Sequence, residues 1–238
     1  MEPVIIMECV KANEIITVLN FLSKKKIVGL NFVSKNKVVK SEVCERAHPD
    51  KNGFRIGETY YINVKNRYEW CNRYIQDKVV LDVPSGMGFG ASFLKGYKKI
   101  YGVDISKEAI EEGSKRYPDI IFIQGSMTNI PIPSNSIDVT ICFEGIEHIT
   151  FEDQKLLFKE LYRVTKNGGL VMLTVPVVYS GHKQSGNKYH IYEPTQEEVK
   201  EHINNSFSTN KIIIEKKELL KGSDGYTLGI VLEKKNGK

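Results

Sequence analysis

The sequence predicts an α/β fold: a doubly wound, mostly parallel seven-stranded sheet with a C-terminal antiparallel hairpin, preceded by a small N-terminal α/β appendage. Three observations carry that expectation. From Lys78 onward, apolar runs of strand length alternate with amphipathic segments of helix length. The first such run ends in the turn Pro84-Ser85-Gly86-Met87-Gly88-Phe89-Gly90. The last two runs are joined through Ser223-Asp224-Gly225, residues suited to reversing the chain.

In chain order, the first strand is expected over 79–83, leading through the glycine turn into a short helix over 91–94. A second strand follows over 99–103. Ser106 can cap a helix that reaches Arg116, with Ile110, Gly113 and Tyr117 on one face, and Pro118 ends it. Strands three and four are expected over 120–124 and 137–143, the latter rich in Val and Ile as suits a strand covered on both faces. Thr150, with Asp153 three positions on, opens the next helix. Leu157, Leu161 and Val164 form its apolar stripe, and Asn167-Gly168-Gly169 stop it before strand five over 170–175. Thr195 with Glu198 at the reciprocal capping position starts a further helix that fades by Asn205. The terminal strands fall over 211–215 and 226–233. Upstream, 4–8, 14–22 and 27–33 read as strand, helix and strand of an appendage over 1–40. The stretch 41–77 reads as a cap and linker whose helix begins near Tyr61, ahead of the main domain over 78–238.

Composition excludes several classes. With 238 residues, 41% hydrophobic and 26% charged, the chain buries a core without staples, and neither a disulfide scaffold nor a disordered chain fits. The net charge of +5 is scattered in short runs such as Lys24-Lys25-Lys26, giving no nucleic-acid footprint. The start, Met-Glu-Pro-Val-Ile-Ile-Met-Glu, has an acidic residue where a secretory leader is basic, and no apolar run approaches spanning length, so a cytoplasmic location without membrane attachment is expected. Cys9, Cys44, Cys71 and Cys142 are far apart, without a C-x-x-C pair, so packed, reduced thiols and no metal are expected.

A strand that ends in a glycine turn presents backbone N–H groups to a ligand at Gly86, Gly88 and Gly90. Gly86-x-Gly88-x-x-Ala91, with Asp104 after strand two, also satisfies a dinucleotide fingerprint, so an NAD-dependent oxidoreductase is one reading. Asp82, four residues before the first glycine, favours another. A carboxylate there would repel a pyrophosphate and attract the ammonium and sulfonium of S-adenosylmethionine. A tight turn, with Asp104 serving as a cap beside Ser106, is the structural alternative.

The runs Val80-Leu81-Asp82-Val83-Pro84-Ser85-Gly86-Met87-Gly88-Phe89-Gly90, Tyr101-Gly102-Val103-Asp104-Ile105-Ser106, Phe143-Glu144-Gly145-Ile146-Glu147-His148-Ile149 and Leu161-Tyr162-Arg163-Val164-Thr165-Lys166-Asn167-Gly168-Gly169 together resemble class I S-adenosylmethionine-dependent methyltransferases. The likeness covers about the last two thirds of the chain. It points to the small-molecule branch that includes quinone-biosynthesis and glycan-biosynthesis-associated methyltransferases. It implies a Rossmann-like fold and S-adenosyl-L-methionine as cofactor. On that resemblance Asp82, Gly86 and Gly88 surround the methionine part, Asp104 holds the ribose hydroxyls and Ile105 packs on adenine. Ser126 and Met127 line the adenine edge, and Phe143 adjoins the site. Two departures from the family pattern are Ser126, where Asp is common, and Pro84, which removes an N–H donor from the loop.

Methyl transfer asks the protein to align acceptor and methyl carbon and to accept the acceptor's proton. Candidates beyond strands four and five are Glu144, Glu147 and His148, then His182 and His190 within 180–193, a segment suited to a substrate lid. Among the aromatic and basic residues before strand one, Arg67 can pair with a cofactor carboxylate, and Tyr68 is a further candidate. The expected acceptor is a small molecule or a sugar or glycan precursor, methylated at a hydroxyl. An Asn/Asp-Pro-Pro-aromatic element of nucleic-acid adenine methyltransferases is not present after strand four. An inert cofactor-binding module remains a third reading.

Overall fold

The computed structural model describes residues 58–178, 187–207, 209–219 and 225–234. The expected appendage over 1–40, the first part of the cap and His182 lie outside the described residues. The strands are β1 (Val79–Asp82), β2 (Lys99–Asp104), β3 (Ile121–Gln124), β4 (Ile137–Phe143), β5 (Thr165–Val178), β6 (Thr209–Leu219) and β7 (Gly225–Lys234). They lie in the order β3-β2-β1-β4-β5-β7-β6. The pairs from β3 through β5 are parallel, and β7 runs antiparallel between β5 and β6. The chain steps from β1 outward to β3, then returns past β1 to β4. That reversal opens a crevice at the carboxyl ends of β1 and β4, where sheets of this kind hold ligands.

Helices are α1 (Glu58–Cys71), α2 (Lys107–Arg116), α3 (Phe151–Val164) and α4 (Gln196–Ser206). Their starts follow side-chain chemistry legible in the sequence. Ser106 accepts from the Ala109 N–H, Thr150 from the Asp153 N–H, and Thr195 and Glu198 form a reciprocal capping box. The stripe Leu157, Leu161 and Val164 is fully buried, each side chain contributing about 1.5–3 kcal/mol by leaving water. On α2 the buried positions are Ala109 and Gly113, whereas Ile110 is half-buried. The small residues face inward because the Phe122 ring occupies the space a Cβ at Gly113 would need.

Two junctions differ from the expected boundaries. The stretch after the glycine turn is only one 3-10 turn, Ala91–Phe93, so loop N–H groups rather than a helix dipole face the crevice. Further on, β5 begins at Thr165, directly after α3, and Asn167-Gly168-Gly169 lie inside the strand. Thr165 Oγ1 donates to the Leu161 carbonyl at 2.7 Å and lies 2.8 Å from Thr140 Oγ1, which draws the chain into the sheet at once. The register between β4 and β5 then shifts between Ile137 and Val139, and Gly168, at φ +75°, turns the backbone through the irregularity. A Cβ at Gly169 would stand 2.8 Å from the Asp138 carbonyl oxygen.

A buried lysine ties the end of β7 to this junction. Lys234 Nζ donates at 2.8 Å to Asn135 Oδ1, to the Tyr162 carbonyl in the last turn of α3 and to the Thr165 carbonyl. It also sits 4.1 Å from the Tyr162 ring centre. Replacing the ammonium by a thioether of similar length strips three acceptors of their donor. Lys234→Met is expected to lower unfolding free energy by about 1–3 kcal/mol, read from the urea midpoint at unchanged slope.

Candidate functional site

Asp82 ends β1 as a fully buried carboxylate. The Tyr68 hydroxyl from α1 donates to it, 3.1 Å from Oδ1 and 3.2 Å from Oδ2. The Asp82 carboxyl is raised to about 8: burial drives it up, the Tyr68 bond offsets part of the rise, and the nearby Asp104 charge adds to it. Tyr68 keeps its proton, its own titration driven upward by burial and by Asp82. The ring reaches Asp82 because Gly90 has no side chain: a Cβ there would lie 2.1 Å from the Tyr68 ring. Tyr68 belongs to the inward stripe Val64, Tyr68 and Cys71 of α1, and the Tyr61 ring packs at a tilt against Phe89 and edge-on to Phe93, so the helix lies over the glycine loop.

The loop's glycines have separate physical reasons. Gly86 adopts φ +54°, and a Cβ on it would meet nothing within 4 Å, so this position opens onto the crevice. Gly88, at φ +83°, instead leaves room for Phe122, whose ring would be 2.5 Å from an added Cβ. Gly88 and Gly90 therefore admit the protein's own aromatic rings, a packing role that sequence reasoning missed. The signal for Phe122 was its position on β3 beside Gly102. Pro84 follows a cis peptide bond, and its ring lies where a Cβ at Gly145 would need to be.

Asp104 is buried at the end of β2, its Oδ2 accepting from the Gly86 N–H and its Oδ1 from the Ser106 N–H, both at 2.9 Å. One carboxylate thus fixes the loop and the residue that caps α2; the cap itself is Ser106, not Asp104. Ile105 follows with 66% of its surface exposed, an apolar side chain standing in water at the sheet's carboxyl edge. Ser126 spends its hydroxyl locally, 2.8 Å from Thr128 Oγ1 and accepting from the Thr128 N–H, and Met127 beside it is half-buried. Phe143 is a core residue, stacked with Trp70 and edge-on to Tyr68.

Past β4, Glu144 takes φ +48°, and its Oε2 lies 3.8 Å from Arg67 Nη2. Arg67 therefore has an internal anionic neighbour. The chain continues through the turn Ile146–His148, and the Glu147 carbonyl accepts from the Ile191 and Tyr192 N–H groups. These bonds, with Gln154 Nε2 donating to the Ile146 and Tyr192 carbonyls, hold the segment 187–193 against the end of β4. His148 Nδ1 contacts the Tyr189 carbonyl at 3.1 Å, and its ring meets His190 edge-on with centres 5.3 Å apart. His190 Nδ1 in turn bonds the fully buried Glu193 carboxylate. Glu147, His148 and His190 bring one ligand atom each within 4.8 Å of one another. Cys71 and Cys142 are buried, and burial with the charges of Glu147, Asp82 and Glu144 pushes the Cys142 thiol upward, which disfavours the thiolate a nucleophile needs. Among the described residues no helix is long and apolar enough to cross a membrane.

Comparison with known proteins fits this geometry. Residues 81–173 match the family model described as a methyltransferase domain. A probable S-adenosylmethionine-dependent methyltransferase of Mycobacterium tuberculosis is 30% identical over 124 residues, 50% of this chain and 44% of that protein. The demethylmenaquinone methyltransferase of Chlorobaculum tepidum is 34% identical over 101 residues, 42% of this chain and 41% of its own. The chain thus spans less than half the length of these curated relatives. The solved S-adenosylmethionine-dependent methyltransferase of Methanosarcina mazei shares the fold at TM-score 0.59 and 16% identity, over 69% of this chain and 96% of that one.

The Asp82 environment has a consequence for stability. An unfolded aspartate titrates near 3.9, the folded one at about 8, so the native state binds the extra proton between those values and stability falls as pH rises through that window. Asp82→Asn is expected to melt several degrees above the wild type at pH 8 and to differ far less near pH 4. A thermal-melt series across pH 4–9 reads the widening gap.

Proposed function

We propose, on the premise that residues 81–173 form a class I S-adenosylmethionine-dependent methyltransferase domain, that this chain transfers a methyl group to a hydroxyl of a small molecule such as a sugar or glycan precursor. The buried, tyrosine-held carboxylate of Asp82 at the crevice carries the cofactor choice. Its charge is costly unless a cation relieves it, which suits a sulfonium and ammonium and opposes the pyrophosphate of NAD. The open approach at Gly86, the acidic Asp104 and the exposed Ile105 form a cradle with an anionic floor and an apolar side, as that cofactor requires.

In this reading Asp82 and the Gly86 loop hold the methionine part, Asp104 accepts from the ribose hydroxyls while keeping its loop bonds, and Ile105 with Met127 covers the adenine. Arg67, paired with Glu144, is the candidate for the cofactor carboxylate, and Phe143 backs the pocket from below. Gly88 supports the loop by admitting Phe122, and Ser126 shapes the turn beside the adenine edge. The cofactor when bound supplies an electrophilic methyl carbon, so the protein's work is alignment and proton removal. Glu144, His148 and His190 lie at the carboxyl edge beyond β4, on the side left to the acceptor, and are the residues proposed to handle its proton. The relatives named for demethylmenaquinone support a small-molecule acceptor.

Calorimetric titration of the full chain with S-adenosylhomocysteine is expected to give saturable one-site binding, with NAD and NADH giving none. NAD binding alone would replace this reading with the oxidoreductase. Asp104→Ala should weaken S-adenosylhomocysteine at least ten-fold, and unchanged affinity would remove the proposed ribose contact. His148→Ala should bind S-adenosylhomocysteine normally and lose methyl transfer to the accepted substrate; full activity would clear His148 of any role in proton removal.

A further inference from the structure

The side chains of Glu147, His148 and His190 meet from two separate segments, and the Glu193 carboxylate stands behind one of the imidazoles. We propose that this cluster is a binding site for a divalent first-row metal ion, with zinc as its reference occupant, placed where the acceptor hydroxyl would complete the coordination.

The donor set is two imidazoles and one carboxylate, a combination that serves zinc with a position left open for water or substrate. Both ring orientations fit ligation. A carbonyl can only accept, so His148 donates Nδ1–H to Tyr189, and its Nε2 carries the lone pair. A carboxylate behind His190 Nδ1 likewise makes that nitrogen the donor and puts the lone pair on Nε2. Carboxylate-to-imidazole and carbonyl-to-imidazole bonds of this kind are the outer contacts that orient and strengthen metal-bound histidines. One potential ligand atom from each residue lies within 4.8 Å of the other two, a ring nitrogen of either kind counting for the histidines, whereas bonds of about 2.1 Å to a tetrahedral ion put ligand atoms about 3.4 Å apart. Closing that difference takes small rotations of side chains whose backbones are already joined by the Glu147 carbonyl to Ile191 and Tyr192.

The cluster also has a use that deepens the methyltransferase reading and rests on it. An acceptor hydroxyl coordinated to the ion loses its proton more readily. In the transfer the acceptor oxygen gains the methyl carbon, the sulfonium sulfur keeps the electron pair of the broken bond and becomes a thioether, and the hydroxyl proton, made labile by the ion that His148 and His190 hold, leaves to water by way of Glu144. No oxidant or reductant enters. Glu193 is then a positioning residue, acting through His190.

The test starts from the full-length protein stripped with a chelator and titrated with zinc against a colorimetric competitor. Cobalt is titrated in parallel, because its visible absorption reports coordination by nitrogen and oxygen. One equivalent bound per chain is expected, with affinity falling at least ten-fold in His148→Ala, His190→Ala and Glu147→Gln and unchanged in Glu152→Gln. Glu193→Gln should weaken zinc binding and shift the cobalt spectrum while the circular dichroism stays that of the wild type. Absence of saturable binding by the folded wild-type chain, or binding that all three ligand variants leave intact, overturns the proposal. S-adenosylhomocysteine titration of the stripped protein separates the two readings. Cofactor binding without metal binding leaves the methyltransferase and removes the metal, and metal binding without cofactor binding does the reverse.

Discussion

A carboxylate with no exposure to water, Asp82, sits at the end of β1 inside the sheet, and much of the surrounding architecture follows from keeping it there. Burial of a charge without compensation is prohibitive, so the group must be hydrogen-bonded, protonated or matched by a cation. The fold answers with the Tyr68 hydroxyl, brought in on α1. That choice propagates. Tyr68 needs the space at Gly90, α1 must cross above the loop for the ring to reach, and Tyr61, Phe89 and Phe93 fill the contact so formed.

The glycine-rich turn is therefore less a uniform cradle than a set of separate accommodations. Gly86 opens to the crevice, Gly88 receives Phe122, Gly90 receives Tyr68, and Gly145 on the next strand connection receives the ring of Pro84. Phe122 alone occupies space left by Gly88, Gly102 and Gly113, joining the loop, β2 and α2. Rigid backing of this kind holds the remaining open position still, which a site that works by alignment needs.

The carboxyl edge also concentrates acidic groups. Asp82, Asp104, Glu144 and Glu147 all end or follow strands on the same side of the sheet, close enough for three of them to raise the Cys142 thiol and for Asp104 to raise Asp82. Low dielectric strengthens every such repulsion.

Much of this was legible in the chain itself, because helix caps and strand runs depend on neighbours in sequence. Ser106, Thr150 and Thr195 cap as their side chains dictate, and the run from Ile137 to Phe143 is a strand for the reason its Val and Ile content suggests. Asp82 and Asp104 stand at strand ends because period and turn chemistry put them there. Local pattern failed where a distant group decided the outcome. Asn167-Gly168-Gly169 has the composition of a helix stop, yet the Thr140 and Thr165 hydroxyls and the lysine at 234 pull the chain into β5 earlier. The inward face of α2 is set by Phe122, and the convergence of Glu147, His148, His190 and Glu193 by backbone bonds between segments remote in sequence. The sequence by itself determined the order of elements and which residues close them, since those interactions span a few positions. Which glycine admits a ring, which carboxylate is buried and which histidines meet were decided only by tertiary packing, where contacts form between residues that no local spacing relates.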